Sequence, residues 1–332
     1  MTIREIAAAA GVSTAAVSYV LNDRKGVSDE TRSKIQGVID RYGYERNINS
    51  VRLVSSRSFN IRIAIQNRSS PFHDFFFYEI AQGVLEGSAR AGYNIVFSNL
   101  SDAGSAEEFV RSINRADTDG IIFFLDVDPD LIRRVQEEQI PAVVIDGHET
   151  DSGVVQVLAD YRLAAKRATV ALLEHNRRNL SLLGSSLVRG YFNQVFQGFR
   201  EATVEAGVSV PLEWVLSDND NEEDARESML RLLDTGARPN GVVCASDILA
   251  VGAIRALKAA GHSVPEEVSV VGIDDIVLSR YIEPALTTIR IDKVRMGRIA
   301  VDLLLELIDG KSVESVVIPS EDLIFRNSVA PA

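Results

Sequence analysis

Thr2 to Asn22 reads TIREIAAAAGVSTAAVSYVLN, two short helical patterns on either side of one glycine. Ile3, Ile6 and Ala7 recur at the spacing of a single buried helical face. Gly11 stops that helix, because glycine takes the left-handed backbone conformation at little cost. Ser13 stands where a second helix needs a cap, and Ala16, Val17 and Val20 repeat the apolar spacing. The pattern predicts a helix-turn-helix, whose second helix lies in a DNA major groove.

Helix, glycine, helix fits a plain helical hairpin equally well. The next segment separates the two readings. Ser28, Asp29, Glu30 and Thr31 open a third helix with a capping hydroxyl and acidic residues in its first turn. Ile35, Val38 and Ile39 line its inner face, and Gly43 ends it. Three short helices can then close a small core. The outer face of the second helix keeps Ser13, Thr14, Ala15, Ser18, Tyr19 and Asn22, small or hydrogen-bonding groups that suit a groove and its phosphates.

The charge distribution agrees. Residues 1–60 carry nine basic and six acidic side chains, a surplus of three, whereas the whole chain carries a net charge of −12. The remainder therefore holds fifteen excess acids. A basic head on an acidic body fits a DNA-binding module joined to a part that does not touch DNA. At 332 residues the chain has room for two or three domains. No apolar run reaches the roughly 18 residues of a membrane span, and the first helix lacks the apolar core of a secretion signal. The expectation is a cytoplasmic protein with no membrane segment. Cys244, the one cysteine, sits in the apolar run GVVCA and reads as core, which leaves no disulfide framework. His73, His148, His175 and His262 are scattered without metal-ligand spacing, so neither metal nor cofactor is expected.

Residues 44–60 read as a linker, with Asn47 capping a short helix through Leu53. From Ile61 onward strands and helices alternate. Strand patterns fall at 61–65, 93–97, 120–124 and 141–146, with helices at 80–91, 107–116 and 131–138 between them. The rhythm restarts at Asp160: strands at 180–183, around Trp214, at 241–244 and at 268–273 alternate with helices. A long amphipathic helix after Asp292 and two short strands finish the chain. Two such blocks predict two doubly wound parallel sheets, and therefore two α/β lobes with a ligand cleft beyond the carboxyl ends of the strands. An enzyme on this fold would carry a G-x-G-x-x-G, G-x-x-x-x-G-K-[ST] or G-x-S-x-G motif; none is present, and no catalytic residue is expected.

The segments TIREIAAAAGVS, SYVLN, GVSDETR, PEEVSVVGIDDI and PALTTIR, in this order and spacing, resemble the LacI/GalR family of bacterial transcription factors. The resemblance covers essentially the whole chain. It implies an all-α helix-turn-helix headpiece at 1–45, a hinge helix and linker at 46–58, and a two-lobed core at 59–332. That core is expected to resemble a periplasmic sugar-binding protein, to bind an effector and to dimerise. The implied function is a sequence-specific repressor of a carbohydrate uptake or catabolism operon, released from double-stranded operator DNA by a small sugar-like effector. A corepressor-dependent regulator, or an activator answering to a non-sugar metabolite, stays open. The chain ends soon after IFRNS without a heptad tail, so the expected homo-oligomer is a dimer and not a tetramer.

Carried over by position, the base-reading residues fall at Thr14, Ala15 and Tyr19, and phosphate contacts at Ser13, Ser18, Asn22, Ser28 and Thr31. Leu53 matches a leucine that wedges into the minor groove, and Asn47 belongs to the hinge pattern; Arg46 and Ser50 replace the usual proline and alanine. The effector contacts implied are Asp74, Phe76, Phe77, Asp126, Asp160, Asn193, Ser246 and Asp274. Asp274 is the foremost of these, since a carboxylate there accepts from two sugar hydroxyls, while Asp275 is read as fixing the loop. Asn193 stands where the family usually has an arginine, which points away from an acidic ligand.

Overall fold

The computed structural model describes residues 2–21, 26–43, 57–65, 75–100, 105–113, 117–125, 127–148, 153–185, 189–320 and 322–331. The chain separates into two compact units, 1–57 and 58–332.

The first unit holds α1 (Ile3–Ala10), α2 (Thr14–Leu21) and α3 (Asp29–Tyr42). A reciprocal capping box starts α1. The Thr2 amide donates to Glu5 Oε2 at 2.7 Å and the Glu5 amide to Thr2 Oγ1 at 3.3 Å. Gly11 ends α1 at φ 65°, the left-handed stop that the sequence requires. Ile6, Ala7, Val17, Val20 and Ile35 are buried together, one or two from each helix, with Ile3, Val12, Val27, Val38 and Ile39 closing around them.

The second unit carries twelve strands among its described residues. In chain order they are β1 (Asn60–Ile65), β2 (Asn94–Asn99), β3 (Gly120–Phe124), β4 (Ala142–Ile145), β5 (Val155–Ala159) and β6 (Leu180–Leu183). The others are β7 (Val215–Leu216), β8 (Gly241–Cys244), β9 (Ser269–Asp274), β10 (Thr287–Arg290), β11 (Val316–Ile318) and β12 (Leu323–Ile324). Between them lie α4 (Phe75–Arg90), α5 (Ala106–Ser112), α6 (Pro129–Glu137), α7 (Tyr161–Glu174) and α8 (Arg189–Glu205). They are followed by α9 (Glu222–Asp234), α10 (Asp247–Ala259) and α11 (Lys293–Ile308).

Two six-stranded sheets result. One runs β11-β5-β4-β3-β1-β2 and the other β12-β10-β9-β8-β6-β7; every pairing is parallel except β10 with β12. Each sheet with its helices forms a lobe. Central strands such as GIIFF and AVVI are buried at every position, as a parallel sheet covered on both faces demands. Cys244 is buried in β8.

The lobes exchange chain at three places. After β5 the chain enters the second lobe at Asp160. After β10 it returns, and α11 packs on α4 in the first lobe. After β11 it crosses again to place β12 beside β10. The α4–α11 crossing brings backbones into contact. A Cβ at Gly83 would lie 2.0 Å from the Val294 carbonyl oxygen, and one at Gly297 would lie 2.3 Å from that of Ile80.

Several elements differ from the sequence reading. Trp214 lies in a single 3-10 turn, Leu212–Trp214, and the strand beside it shrinks to Val215–Leu216. The described part of α5 ends at Ser112, and 114–116 lie outside the described residues. β5 and β10 carry no strong apolar alternation. β10 consists of TTIR, whose threonines are buried because their hydroxyls are bonded: Thr288 Oγ1 donates to Asp247 Oδ1 at 2.6 Å, and Thr287 Oγ1 accepts from the Arg326 amide at 2.9 Å.

Candidate DNA face and interlobe cleft

In the first unit, Ser13, Thr14, Ala15 and Tyr19 are exposed on one side of α2, and Ser18 is half-buried. Ser13 Oγ accepts from the Ala16 amide at 3.2 Å, so its hydroxyl also caps the helix. Ser28 Oγ caps α3 through the Thr31 amide at 3.3 Å and lies 2.9 Å from Thr31 Oγ1. Two capped amino termini of this kind favour phosphate oxygens. Tyr19 keeps 41 % of its surface exposed, and its ring lies against Gly26, where an added Cβ would stand 3.1 Å away. Gly26 has φ 126°, so glycine is needed both for the backbone and for the ring. Asn22, Asn47 and Leu53 lie outside the described residues.

The candidate cleft lies at the carboxyl ends of the strands. Leu125, Asp146, Asp274 and Asp275 follow or end β3, β4 and β9, and all four have positive φ. Non-glycine residues take such angles where the surroundings hold them, commonly at binding sites. Asp146 is buried. Its Oδ2 accepts from the Tyr161 hydroxyl at 2.7 Å, and its Oδ1 is 3.1 Å from His148 Nε2. Gln194 Nε2 lies 3.2 Å from His148 Nδ1. The amide NH2 can only donate, so Nδ1 accepts, and Nε2 carries the proton given to Asp146.

Three rings close the cluster. Tyr161 and Tyr191 meet edge to face with centroids 4.4 Å apart, and His148 is 5.1 Å from Tyr161 and 5.8 Å from Tyr191. Asp146 and His148 belong to the first lobe, whereas Tyr161, Tyr191 and Gln194 belong to the second. Gly190 permits the approach, since a Cβ there would lie 2.5 Å from the His148 carbonyl oxygen. Burial pushes both phenols well above their ordinary range, and the nearby carboxylates of Asp146 and Asp274 push in the same direction. Both phenols therefore stay protonated as hydrogen-bond donors.

The residues singled out from sequence have varied fates. Phe77 stacks on Phe124 with centroids 5.9 Å apart and planes 5° from parallel, and Phe76 meets Phe77 edge-on. Asp160 Oδ1 caps α7 through the Leu163 amide at 2.8 Å, and Ser246 Oγ caps α10 through the Leu249 amide at 3.4 Å. Asn193 is exposed; on α8 it is Tyr191 and Gln194 that reach the cluster. Asp274 is buried at the end of β9, close enough for its charge to act on both tyrosines. Asp275 binds Arg290 Nε at 2.9 Å and pairs with Arg326. Asp74 and Asp126 lie outside the described residues.

Sequence reasoning missed Asp146, His148, Tyr191 and Gln194. The signal was present for the first: Asp146 ends the apolar run PAVVI as Asp274 ends VSVVGI. Among the described residues no group of three or more histidine, cysteine or acidic side chains is arranged to hold a metal ion. No described helix is long and apolar enough to cross a membrane.

A family model described as "Bacterial regulatory proteins, lacI family" matches residues 2–47, and one described as "Periplasmic binding protein-like domain" matches residues 169–329. The chain is 31 % identical to the HTH-type transcriptional repressor PurR of Serratia proteamaculans (strain 568), over 99 % of this chain and 97 % of the relative. Among solved structures it is similar to the transcriptional regulator CelR–cellobiose complex, with TM-score 0.74, 26 % identity and 99 % of each chain covered. It also shares its fold with the lac repressor dimer bound to operator and the anti-inducer ONPF, at TM-score 0.75, 22 % identity and 99 % of each chain covered.

Proposed function

From the premise that this chain belongs to the LacI family and is a DNA-binding transcriptional repressor, not an enzyme, we propose that a small sugar-like effector between its lobes sets its grip on the operator. The observation that carries the reading is the interlobe cluster. Asp146, His148, Tyr161, Tyr191 and Asp274 place carboxylates, phenols and an imidazole at one point where both lobes meet. Carboxylates accept from hydroxyl pairs, phenols donate to hydroxyl and ring oxygens, and aromatic rings cover the apolar face of a sugar. The cellobiose complex of the CelR structure supports a sugar in such a cleft.

The effector works by differential affinity. A ligand that touches both lobes favours the lobe arrangement that fits it, and only that preference can shift operator affinity. On the DNA side, Thr14, Ala15 and Tyr19 read base edges while Ser13, Ser18, Ser28 and Thr31 engage phosphates, with Asn22, Asn47 and Leu53 completing the contact.

The repressor acts in the cytoplasm as a homodimer, so two headpieces read two half-sites. Exposed apolar residues mark the face for the second copy. Tyr78 is 62 % exposed on α4, and Tyr281, which follows the 3-10 turn Val277–Arg280, is 80 % exposed. Phe75, Tyr78, Val277 and Arg280 border one groove of about 470 Å³ at the junction of the lobes.

The test is a thermal-shift screen of the full chain against ribose, cellobiose and a panel of other mono- and disaccharides. A ligand at 100 times its dissociation constant adds about 2.7 kcal/mol. At least one sugar is expected to stabilise the wild type and to lose that effect in Asp274→Ala. A panel without a single shift, or a shift unchanged in Asp274→Ala, contradicts the reading.

A further inference from the structure

Lys293 opens α11, yet only 1 % of its surface is exposed. A buried ammonium costs several kcal/mol unless it is matched, and a cation at a helix amino terminus faces the unfavourable end of the dipole. Lys293 also falls in register with Met296, Gly297, Ala300 and Leu304, the buried stripe of its helix, where an apolar residue would be the ordinary choice. Something must hold it there.

Its partners come from both lobes. The ammonium donates to the Asp274 main-chain carbonyl and lies 3.4 Å from the Ile291 carbonyl oxygen. Glu79 Oε2, on α4 of the other lobe, is 3.4 Å away, and the centroid of the Phe76 ring is 5.8 Å away. Asp274 has φ 124°, a backbone state that L side chains rarely adopt and that persists only where neighbours impose it. Its carbonyl also accepts from the Ile291 amide at 3.4 Å, so the two bonds together fix that peptide.

The base of the lysine is equally constrained. α11 and α4 touch backbone to backbone at Gly83 and Gly297, so the head of α11 moves only with α4. The chain of contacts therefore runs from Asp274 in one lobe, through a single ammonium, to Glu79 and α4 in the other.

We propose that Lys293 is a positioning residue for the effector response: it holds the strained Asp274 peptide in its cleft-lining state and links it through Glu79 to the opposite lobe. The proposal rests on the reading of Asp274 as an effector contact. It predicts that occupancy at Asp274 reaches α4 through the ammonium, apart from any ligand contact with Phe76 or Phe77 on that helix.

Amide hydrogen exchange of the full chain tests it, with no ligand and no DNA present. The reporters are the Asp275 and Ile276 amides, which donate to Thr288 Oγ1 at 3.3 Å and Asp247 Oδ2 at 3.0 Å. Lys293→Met is expected to speed their exchange about tenfold. Glu79→Gln, in the other lobe, is expected to speed the same two amides about threefold, with the amides of α9 unchanged. The double variant is expected to match Lys293→Met alone. Unchanged exchange at Asp275 and Ile276 in Glu79→Gln, or a change confined to α4, overturns the proposal. Should Lys293→Met fail to fold, Glu79→Gln decides alone. Because neither operator nor sugar enters the measurement, its failure is distinct from failure of the repressor reading, which shows as absent operator binding by the wild type.

Discussion

The Tyr161 hydroxyl of the second lobe donates to Asp146 of the first at 2.7 Å, and both residues are buried. This bond fastens one lobe to the other. Its donor cannot ionise near neutral pH, because burial and two carboxylates hold the phenol well above its usual range. Its acceptor sits at φ 61°, held at the end of β4.

Tyr161→Phe removes that donor and keeps the ring. A hydrogen bond to a charged acceptor contributes about 1.5–3 kcal/mol. The expected outcome is a loss of that size in denaturant unfolding of the full chain, together with a changed sugar concentration for half-release from DNA. Unfolding and release curves that superimpose on the wild type contradict the fastening.

Asp247 predicts a pH signature. It is fully buried, accepting from the Ile276 amide at 3.0 Å, Ser279 Oγ at 2.5 Å and Thr288 Oγ1 at 2.6 Å. Burial raises its carboxyl from 3.8 to about 6, against the opposing pull of those donors and Lys293. At pH 5 the native carboxyl is largely protonated while the unfolded one is ionised. Its contribution is therefore fully present below pH 3.8 and lost as pH rises through about 6. Relative to Asp247→Asn, the wild type should lose about 3 kcal/mol across that window. Parallel stability curves for the two proteins from pH 3.5 to 6.5 would refute the assignment.

Gly83→Ala tests the helix crossing. The new Cβ would lie 2.0 Å from the Val294 carbonyl oxygen, a backbone atom that cannot step aside. Overpacking of this kind costs about 3 kcal/mol or more. The core transition should fall accordingly in calorimetry; an unshifted transition means that α4 and α11 are not in contact.

Gly26→Ala addresses the DNA face. The position has φ 126°, and the added methyl meets the Tyr19 ring at 3.1 Å. Operator affinity is expected to drop about tenfold, the equivalent of about 1.4 kcal/mol. The melting transition of residues 58–332 should be unaltered, since the headpiece is a separate compact unit. Full operator affinity in the variant would remove Tyr19 from the contact.

Much of this was legible in residues 2–43, where caps, glycine stops and apolar spacing agree with one another, and the three helices follow the sequence closely. The strands with continuous apolar runs were equally plain. What escaped detection was held by tertiary partners. β10 is a strand because Thr287 and Thr288 find Arg326 and Asp247, which no local pattern reveals. The two lobes were visible as two blocks of strands and helices, but the return of α11 and β11 to the first lobe was not, since crossovers leave no periodic mark. Among the candidate effector contacts, the family resemblance put Asp274 foremost, and Asp146 shares its place at the end of an apolar strand run. His148, Gln194 and Lys293 depend on contacts between segments far apart in sequence. Asp160 and Ser246 also cap the helices that follow them, a role that polar residues at strand ends take naturally.

Effector-controlled operator binding is measured by selecting genomic DNA fragments with the full-length protein, then titrating the selected duplex by anisotropy with and without each stabilising sugar. The fragments are expected to share one near-palindromic site, bound more weakly by at least tenfold when the sugar is present, about 1.4 kcal/mol of coupling. Fragments with no common site, or a site bound equally well under every ligand condition, would contradict it.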